Sequence, residues 1–367
     1  MNRREFLAVS AAGLLIRPRP PEITTISKSP ELYHGWPTIA RLKDGRLMVA
    51  CSGGREGHVC PFGRVDVMSS DDGGRTWGEP RTILDGPLDD RDAGILETAR
   101  GTLIATTFTS LAYEPILQNA RGWPEERLAR WTAARDKLTP EERKKALGVW
   151  AVRSTDGGKT WSAPIDTLVN SPHGPIQLAD GRLLYPGKDI WREGGKIEVA
   201  ESADDGVTWR RLAVIPAREG DHANEYHELH AVETGDGRIV CQIRNHNKAN
   251  SGETLQIESA DGGKTWSVPK AIGAWGLPSH LLRLKDGRLL MSTGHRRKPF
   301  GNQARVSRDQ GRTWGEPIPI SEDGAGGDLG YPSTAQLDDG SLVTVWYELL
   351  KGSSRAVLRQ SRWSLQP

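Results

Sequence analysis

The chain lacks the cysteines that staple a fold, the long apolar runs that cross a membrane and the net charge that grips nucleic acid. Its 367 residues include only three cysteines, Cys51, Cys60 and Cys241. No disulfide framework can hold so long a chain with so few. Cys51 and Cys60 lie close enough to pair in an oxidising compartment, which leaves Cys241 free in a strand. Formal charge is +2 with both signs interspersed, so no electrostatic footprint recommends a nucleic-acid partner. Beyond a short N-terminal leader no apolar run approaches the roughly 20 residues that span a bilayer, so no membrane insertion is expected once that leader is gone. No His-Glu-x-x-His or similar tight spacing marks a metal site, and no cofactor is expected. Phenylalanine is scarce too, at four residues, against thirteen tryptophans.

Five of those tryptophans close copies of one pattern, Ser-x-Asp-x-Gly-x-Thr-Trp, at Ser70–Trp77, Ser154–Trp161, Ser202–Trp209, Ser259–Trp266 and Ser307–Trp314. A second repeat travels with it. Turn-like segments, mostly Asp-Gly-Arg-Leu, stand at Asp44–Leu47, Arg100–Leu103, Asp180–Leu183, Asp236–Ile239, Asp286–Leu289 and Asp339–Leu342. Asp and Gly cluster where a tight turn needs side-chain hydrogen bonds and a residue free to take positive φ. Around each turn the flanks alternate as strands do, as in Leu47-Met-Val-Ala. Six turns, each with room for four short strands, predict an all-β ring of six meanders, a six-bladed β-propeller. The sixth unit ends at Pro367 before a box can form. Its missing outer strand is expected from the N-terminus, around Ile23–Ser27, which would clasp the ring shut.

Two segments stand outside the period. Asn2-Arg-Arg-Glu-Phe-Leu7 followed by Ala8–Ile16 resembles a twin-arginine export signal, so residues 1–21 are expected to be a leader and the propeller to occupy 22–367. Such a leader would carry the folded protein to the periplasm or beyond. Residues of about 113–148 read as a helical insertion in blade two. One helix opens at Pro124, a second is capped by Thr139, and the hairpin would serve as a lid or an edge cover.

The turns and the boxes share one face of such a ring, so strand-one entries and strand-two exits lie on the other, around the central channel. All nine histidines fall in those positions, among them His34, His58, His173 and His230. None falls in a turn or a box. Carboxylates, tyrosines and arginines gather there as well, and together they could bind an anionic sugar and supply a general acid and base for glycosidic cleavage.

The boxes resemble the Asp-boxes of the sialidase superfamily, and the resemblance covers the chain from about Tyr33 to the C-terminus. It implies a tyrosine nucleophile activated by a glutamate, an acidic proton donor, and arginines on a sugar carboxylate. Tyr331, in Gly-Tyr-Pro-Ser, is similar to the nucleophile at the start of the last blade. Glu228 and Arg244 are similar to the activating glutamate and the second arginine, and Arg297 to the third. Glu348 resembles the carboxylate that steadies the first arginine. Two departures accompany these matches. Glycine stands at the first arginine, in His34-Gly35-Trp36-Pro37, so Arg55 becomes a candidate to enter the site. The acid/base aspartate falls at His58, with Glu56 and Asp92 as alternatives.

The expected function is therefore an exported glycosidase acting on an acidic or decorated glycan. Its catalytic candidates are Tyr331, Glu228, His58, Glu56 and Asp92. Its substrate-binding candidates are Arg55, Arg244, Arg297, His34, His173, His230 and Glu348. A polysaccharide lyase using His, Tyr and Arg on a uronate, and a non-catalytic glycan-binding propeller, are the alternatives.

Overall fold

The computed structural model describes residues 22–191 and 195–365. The leader expected over residues 1–21 lies outside them. Six four-stranded antiparallel sheets are arranged in a ring. Blades one to five each use four consecutive strands, starting with inner strands at Tyr33–Arg41, Asp89–Glu97, Ile176–Gln177, Tyr226–Glu233 and Ser279–Arg283. Blade six takes three from the C-terminal end, Leu329–Gln336, Leu342–Leu349 and Ala356–Trp363, and its fourth from the N-terminal side, Glu22–Thr25. That strand runs antiparallel to the last one, with Glu22 opposite Arg362 and Thr25 opposite Arg359. Blade six is thus completed by pairing segments far apart in sequence, which covers the outer edge of Ala356–Trp363.

The box works as a local hydrogen-bond device. In the first, Asp72 Oδ1 accepts from the backbone of Arg75 and Thr76, each at 2.9 Å, and Oδ2 accepts from Thr76 Oγ1 at 2.6 Å. Ser70 Oγ accepts from Gly74 N at 2.8 Å. Gly73 and Gly74 take φ of 70° and 83°, a conformation that an L side chain resists. The tryptophans plug the gaps between blades: Trp77 Nε1 reaches Gln360 of blade six, and Trp314 Nε1 reaches Gln256 of blade four, both at 2.9 Å.

Blade two carries three helices between its second and third strands, Tyr113–Gln118, Glu125–Arg135 and Pro140–Ala146, one more than the sequence suggests. Thr139 caps the last of them in a reciprocal capping box with Glu142. The helices enclose their own core, in which Tyr113, Leu117 and Trp131 pack with Cys60 and with Phe62 and Val59 of the loop after blade one's second strand. Cys60 therefore sits in this satellite core and Cys51 in the core of blades one and six. All three cysteines are free and buried, so the suggested Cys51–Cys60 bridge does not form. Among the described residues no helix is long and apolar enough to cross a membrane.

Candidate active site

Four inner strands break their ladders at their first residues. The register slips between Gly35 and Thr38 in blade one, Arg91 and Gly94 in blade two, His227 and Leu229 in blade four, and Gly330 and Ser333 in blade six. At each slip one non-glycine residue adopts the left-handed conformation: Trp36 (φ 51°), Asp92 (55°), Glu228 (39°) and Tyr331 (54°). Such a backbone costs on the order of 1–3 kcal/mol per residue. The bulges re-aim these four side chains, and strain repeated at equivalent places of four blades marks the mouth as the place where geometry matters.

The central contact of the mouth joins blades six and four. Tyr331 Oη donates to Glu228, and Arg244 Nη1 donates both to Glu228 and, at 3.0 Å, to Tyr331 Oη. Burial pushes the Tyr331 phenol well above its ordinary value, and the charge of Glu228 adds to the shift. Burial also pushes Glu228 upward, but the charge of Arg244, hydrogen bonds from Tyr331 and Arg244, and the charge of Arg296 outweigh it and hold the carboxyl below its usual range. A neutral phenol thus faces an ionised carboxylate, and any proton leaving the phenol has an acceptor in place.

Beside this pair lies a cavity of about 630 Å³ lined by Asp92, Phe108, Asn170, Lys188, His227 and Glu228 among others. Burial, reinforced by the charge of Glu228, raises the Asp92 carboxyl to about 7. It can hold a proton at neutral pH. An aromatic cluster packs against Tyr331, with Trp36 and Tyr347 at ring-centroid distances of 6.4 and 5.7 Å. His58 lies edge-on to Trp36, ring centroids 5.1 Å apart, and Trp36 meets Tyr347 at 5.9 Å. Tyr33 and Tyr347 donate to Asp328 at 3.2 and 3.0 Å, and His58 Nδ1 lies 3.1 Å from the same carboxylate. Burial raises Asp328, yet hydrogen bonds from His58, Tyr347 and Tyr33 together with the charge of His58 keep it below its usual value.

The mouth brings together Tyr331, Glu228, Arg244, Asp92 and His58. Other candidates lie elsewhere, and strand alternation explains most of them. Arg297 turns outward onto Trp275, its Cζ 3.8 Å from the ring centroid. Its neighbour Arg296 turns inward instead, 3.4 Å from Tyr347 Oη, with its Cζ 5.9 Å from the Tyr331 ring centroid. Glu348 likewise faces away and binds Arg359 and Trp346 Nε1, each at 2.9 Å, while Tyr347 takes the inward place. His34 is buried on the side of Asp66 and Arg64, and Tyr33 is the residue that reaches Asp328. Arg55 is fully buried beneath Trp36, where its Nη1 and Nη2 grip Asp89 at 2.6 and 3.0 Å. It does not reach the mouth. Glu56 points to the insertion, accepting from Trp131 Nε1 at 2.8 Å and pairing with Arg130.

His173 and His230 lie deeper in the channel with His280, all three buried, with centroids 4.6 to 5.6 Å apart. Backbone N–H groups of Leu281 and Thr334 donate to the Nδ1 atoms of His230 and His280, and burial drives His280 down to about 3. These rings are structural posts of the channel. Among the described residues no group of three or more His, Cys, Asp or Glu is placed to hold a metal ion. Sequence reasoning missed Tyr33, Tyr347 and Asp328, and adjacency was the available signal for the tyrosines. Each neighbours a candidate that faces the wrong way.

Comparison with known proteins adds an independent finding. A family model described as a BNR repeat-like domain matches residues 45–344. A sialidase of Micromonospora viridifaciens is 24% identical over 322 residues, covering 87% of this chain and 40% of that protein. A sialidase of Clostridium perfringens is 24% identical over 200 residues, 46% of this chain and 52% of that one. The chain thus spans about half the length of the curated relatives it matches. Among solved structures, a Dyadobacter fermentans protein of unknown function superposes with a TM-score of 0.76 at 25% identity, covering 95% of this chain and 99% of that one. The intramolecular trans-sialidase of Ruminococcus gnavus, in complex with oseltamivir carboxylate, superposes with a TM-score of 0.67 at 14% identity, with the same coverages.

Proposed function

Because the chain belongs to the BNR repeat-like family of the sialidase superfamily, we propose that its mouth is the active site of a glycoside hydrolase acting on an acidic or otherwise decorated glycan. The observation that carries this reading is the three-way contact of Tyr331, Glu228 and Arg244, assembled from two blades. Tyr331 Oη attacks the anomeric carbon as its proton passes to Glu228, and the glycosidic bond breaks. Asp92, protonated up to about pH 7, gives its proton to the departing oxygen. It then takes one from the water that releases the sugar and restores Tyr331. Arg244 and Arg296 are the cations that meet a carboxylate on the sugar. Sialic acid itself is the less favoured substrate. Glycine holds the place of the first arginine, and the side of the mouth formed by blades one and six presents the Asp328 carboxylate instead.

One observation favours a second reading. His58, half exposed and hydrogen-bonded to Asp328, places an imidazole at the mouth, the kind of group a lyase acting beside a uronate carboxylate uses. Digestion of a glycan library separates the possibilities. A hydrolase releases sugar with no ultraviolet-absorbing double bond, a lyase creates one, and a binding protein retains glycan without turnover. Absence of any turnover together with glycan retention would overturn the enzymatic reading. The leader-like residues 1–21 support export as part of the same proposal. Cell fractionation should find the protein outside the cytoplasm and an Arg3→Lys, Arg4→Lys variant inside it.

A further inference from the structure

Arg244 is held from two sides. Its Nη1 is committed to Glu228 and Tyr331, and its Nε donates to His246 Nε2 at 2.7 Å. A guanidinium stays protonated at any biological pH, so the second bond needs a lone pair on His246 Nε2. Neutral His246 must then carry its hydrogen on Nδ1. The ring stands just after blade four's second strand, Ile239–Asn245, and its backbone N–H donates to Glu225 O at 2.8 Å. His227 packs against it, with centroids 4.6 Å apart and planes tilted by 37°. With Nε and Nη1 both taken by described residues, the guanidinium plane is fixed. Only Nη2 is left to meet a ligand.

We infer that His246 is a positioning residue: its Nε2 lone pair sets the orientation of Arg244, and protonation of His246 releases that arginine and weakens anion recognition at the mouth. The inference rests on the reading of the mouth as an active site for an acidic glycan and adds a pH-sensitive support to it. A protonated His246 would set N–H against N–H and cation against cation, a contact that neither group can keep. The charged and titratable groups around the ring divide. Arg244 and Lys188 oppose its protonation, Glu228 and Glu225 favour it, and His227 contacts its face. Burial above all, aided by the charges of Arg244 and Lys188, holds His246 below the ordinary imidazole value. The neutral ring therefore prevails at neutral pH, and the bond is lost as pH falls through that lowered value.

The first arm of the test needs no substrate. In full-length protein labelled with ¹⁵N, His246 is expected as the Nδ1–H tautomer. The Arg244 Nε–H is expected to exchange slowly and to shift together with His246 as pH falls. Crystal structures of His246→Ala and His246→Gln are expected to show Arg244 withdrawn from Tyr331 in the first and retained in the second, because the glutamine Oε1 can accept from Nε. The second arm uses a fluorogenic aryl glycoside of N-acetylneuraminic acid and, in parallel, one of glucuronic acid. With whichever is cleaved, His246→Ala should lower kcat/KM about 10- to 100-fold, and His246→Gln should recover most of it without the acid-side rise in KM of the wild type. An Nε2–H tautomer, or Arg244 unmoved in His246→Ala, overturns the inference even if the enzyme is active. If neither glycoside is cleaved and glycan is not turned over, while Arg244 moves as expected, the enzymatic reading fails and the positioning relation stands.

Discussion

Trp36 and Tyr331 occupy the same place in adjoining blades, and their rings meet edge-on with centroids 6.4 Å apart. Each stands at positive φ between a glycine and a proline, in Gly35-Trp36-Pro37 and Gly330-Tyr331-Pro332. One local solution, a bulge at the start of an inner strand, thus delivers a phenol in blade six and an indole in blade one. Arg91 and Arg55 lie over the Trp36 ring at 4.4 and 4.9 Å. Blade one therefore contributes an aromatic wall backed by cations, where the sialidase pattern supplies an arginine.

The two arginines that follow blade five's second strand, Leu289–His295, should separate cleanly. Arg296→Ala removes a cation beside Tyr331 and Tyr347 and is expected to lower kcat/KM about 10- to 100-fold on an acidic glycan. Arg297→Ala removes a stack on Trp275 and should leave kcat/KM within about twofold, at a stability cost of roughly 0.5–1 kcal/mol. Steady-state kinetics and thermal unfolding of the two variants check this. Equal losses of activity would contradict it.

Asp92 should govern the alkaline limb of the pH profile. As proton donor it acts while protonated, so the wild-type rate falls as pH rises through about 7. Asp92→Asn should lose that limb and about 10²- to 10⁴-fold in rate. The stability sign is fixed too. The raised carboxyl contributes stability that is complete below its unfolded value, near 3.9, and is lost as pH rises through the folded value. The asparagine variant should therefore gain in Tm relative to wild type at pH 8, and the gain should vanish near pH 4.

Glu56 and His58 lie two residues apart and face different partners. Glu56 ties the loop to the insertion through Trp131 and Arg130, whereas His58 faces Trp36. Glu56→Ala should cost about 1–2 kcal/mol in stability and change kcat by less than about threefold. A loss of 10²-fold or more would make Glu56 the proton donor instead.

Arg55→Ala should damage the fold rather than the chemistry. It leaves Asp89, which like Arg55 has a side chain at 0% exposure in the wild type, with the longer Arg91 contact at 3.6 Å, and removing the principal partner of such a pair costs about 3–5 kcal/mol. Chemical denaturation measures this directly. An unchanged midpoint would show that the pair is not buried.

The architecture was legible because its signals are local and repeated. Asp72 and its counterparts organise their own turns, and each Asp-Gly turn is flanked by period-two strands, so the ring of six blades follows without tertiary information. Tyr331, Glu228 and Arg244 were legible through the sialidase resemblance. The remainder was not, because a match by position does not fix which way a side chain faces. Neighbouring residues turn to opposite sides, so Arg297 was preferred to Arg296, Glu348 to Tyr347 and His34 to Tyr33. Asp328 lies in a loop with no pattern of its own, and only the meeting of blades one and six gives it Tyr33 and His58 as partners. The partnership of Glu56 with Trp131 depends on how an insertion from blade two folds back over blade one. No spacing encodes it.

The most direct measurement is a rapid quench of the reaction on a cleaved glycan, followed by peptide mass mapping of wild type, Tyr331→Phe and Glu228→Gln. A glycosyl adduct on the Tyr331 peptide of the wild type, absent from Tyr331→Phe and diminished in Glu228→Gln, is the expected result. Turnover by Tyr331→Phe at the wild-type rate, or an adduct on another residue, would contradict it.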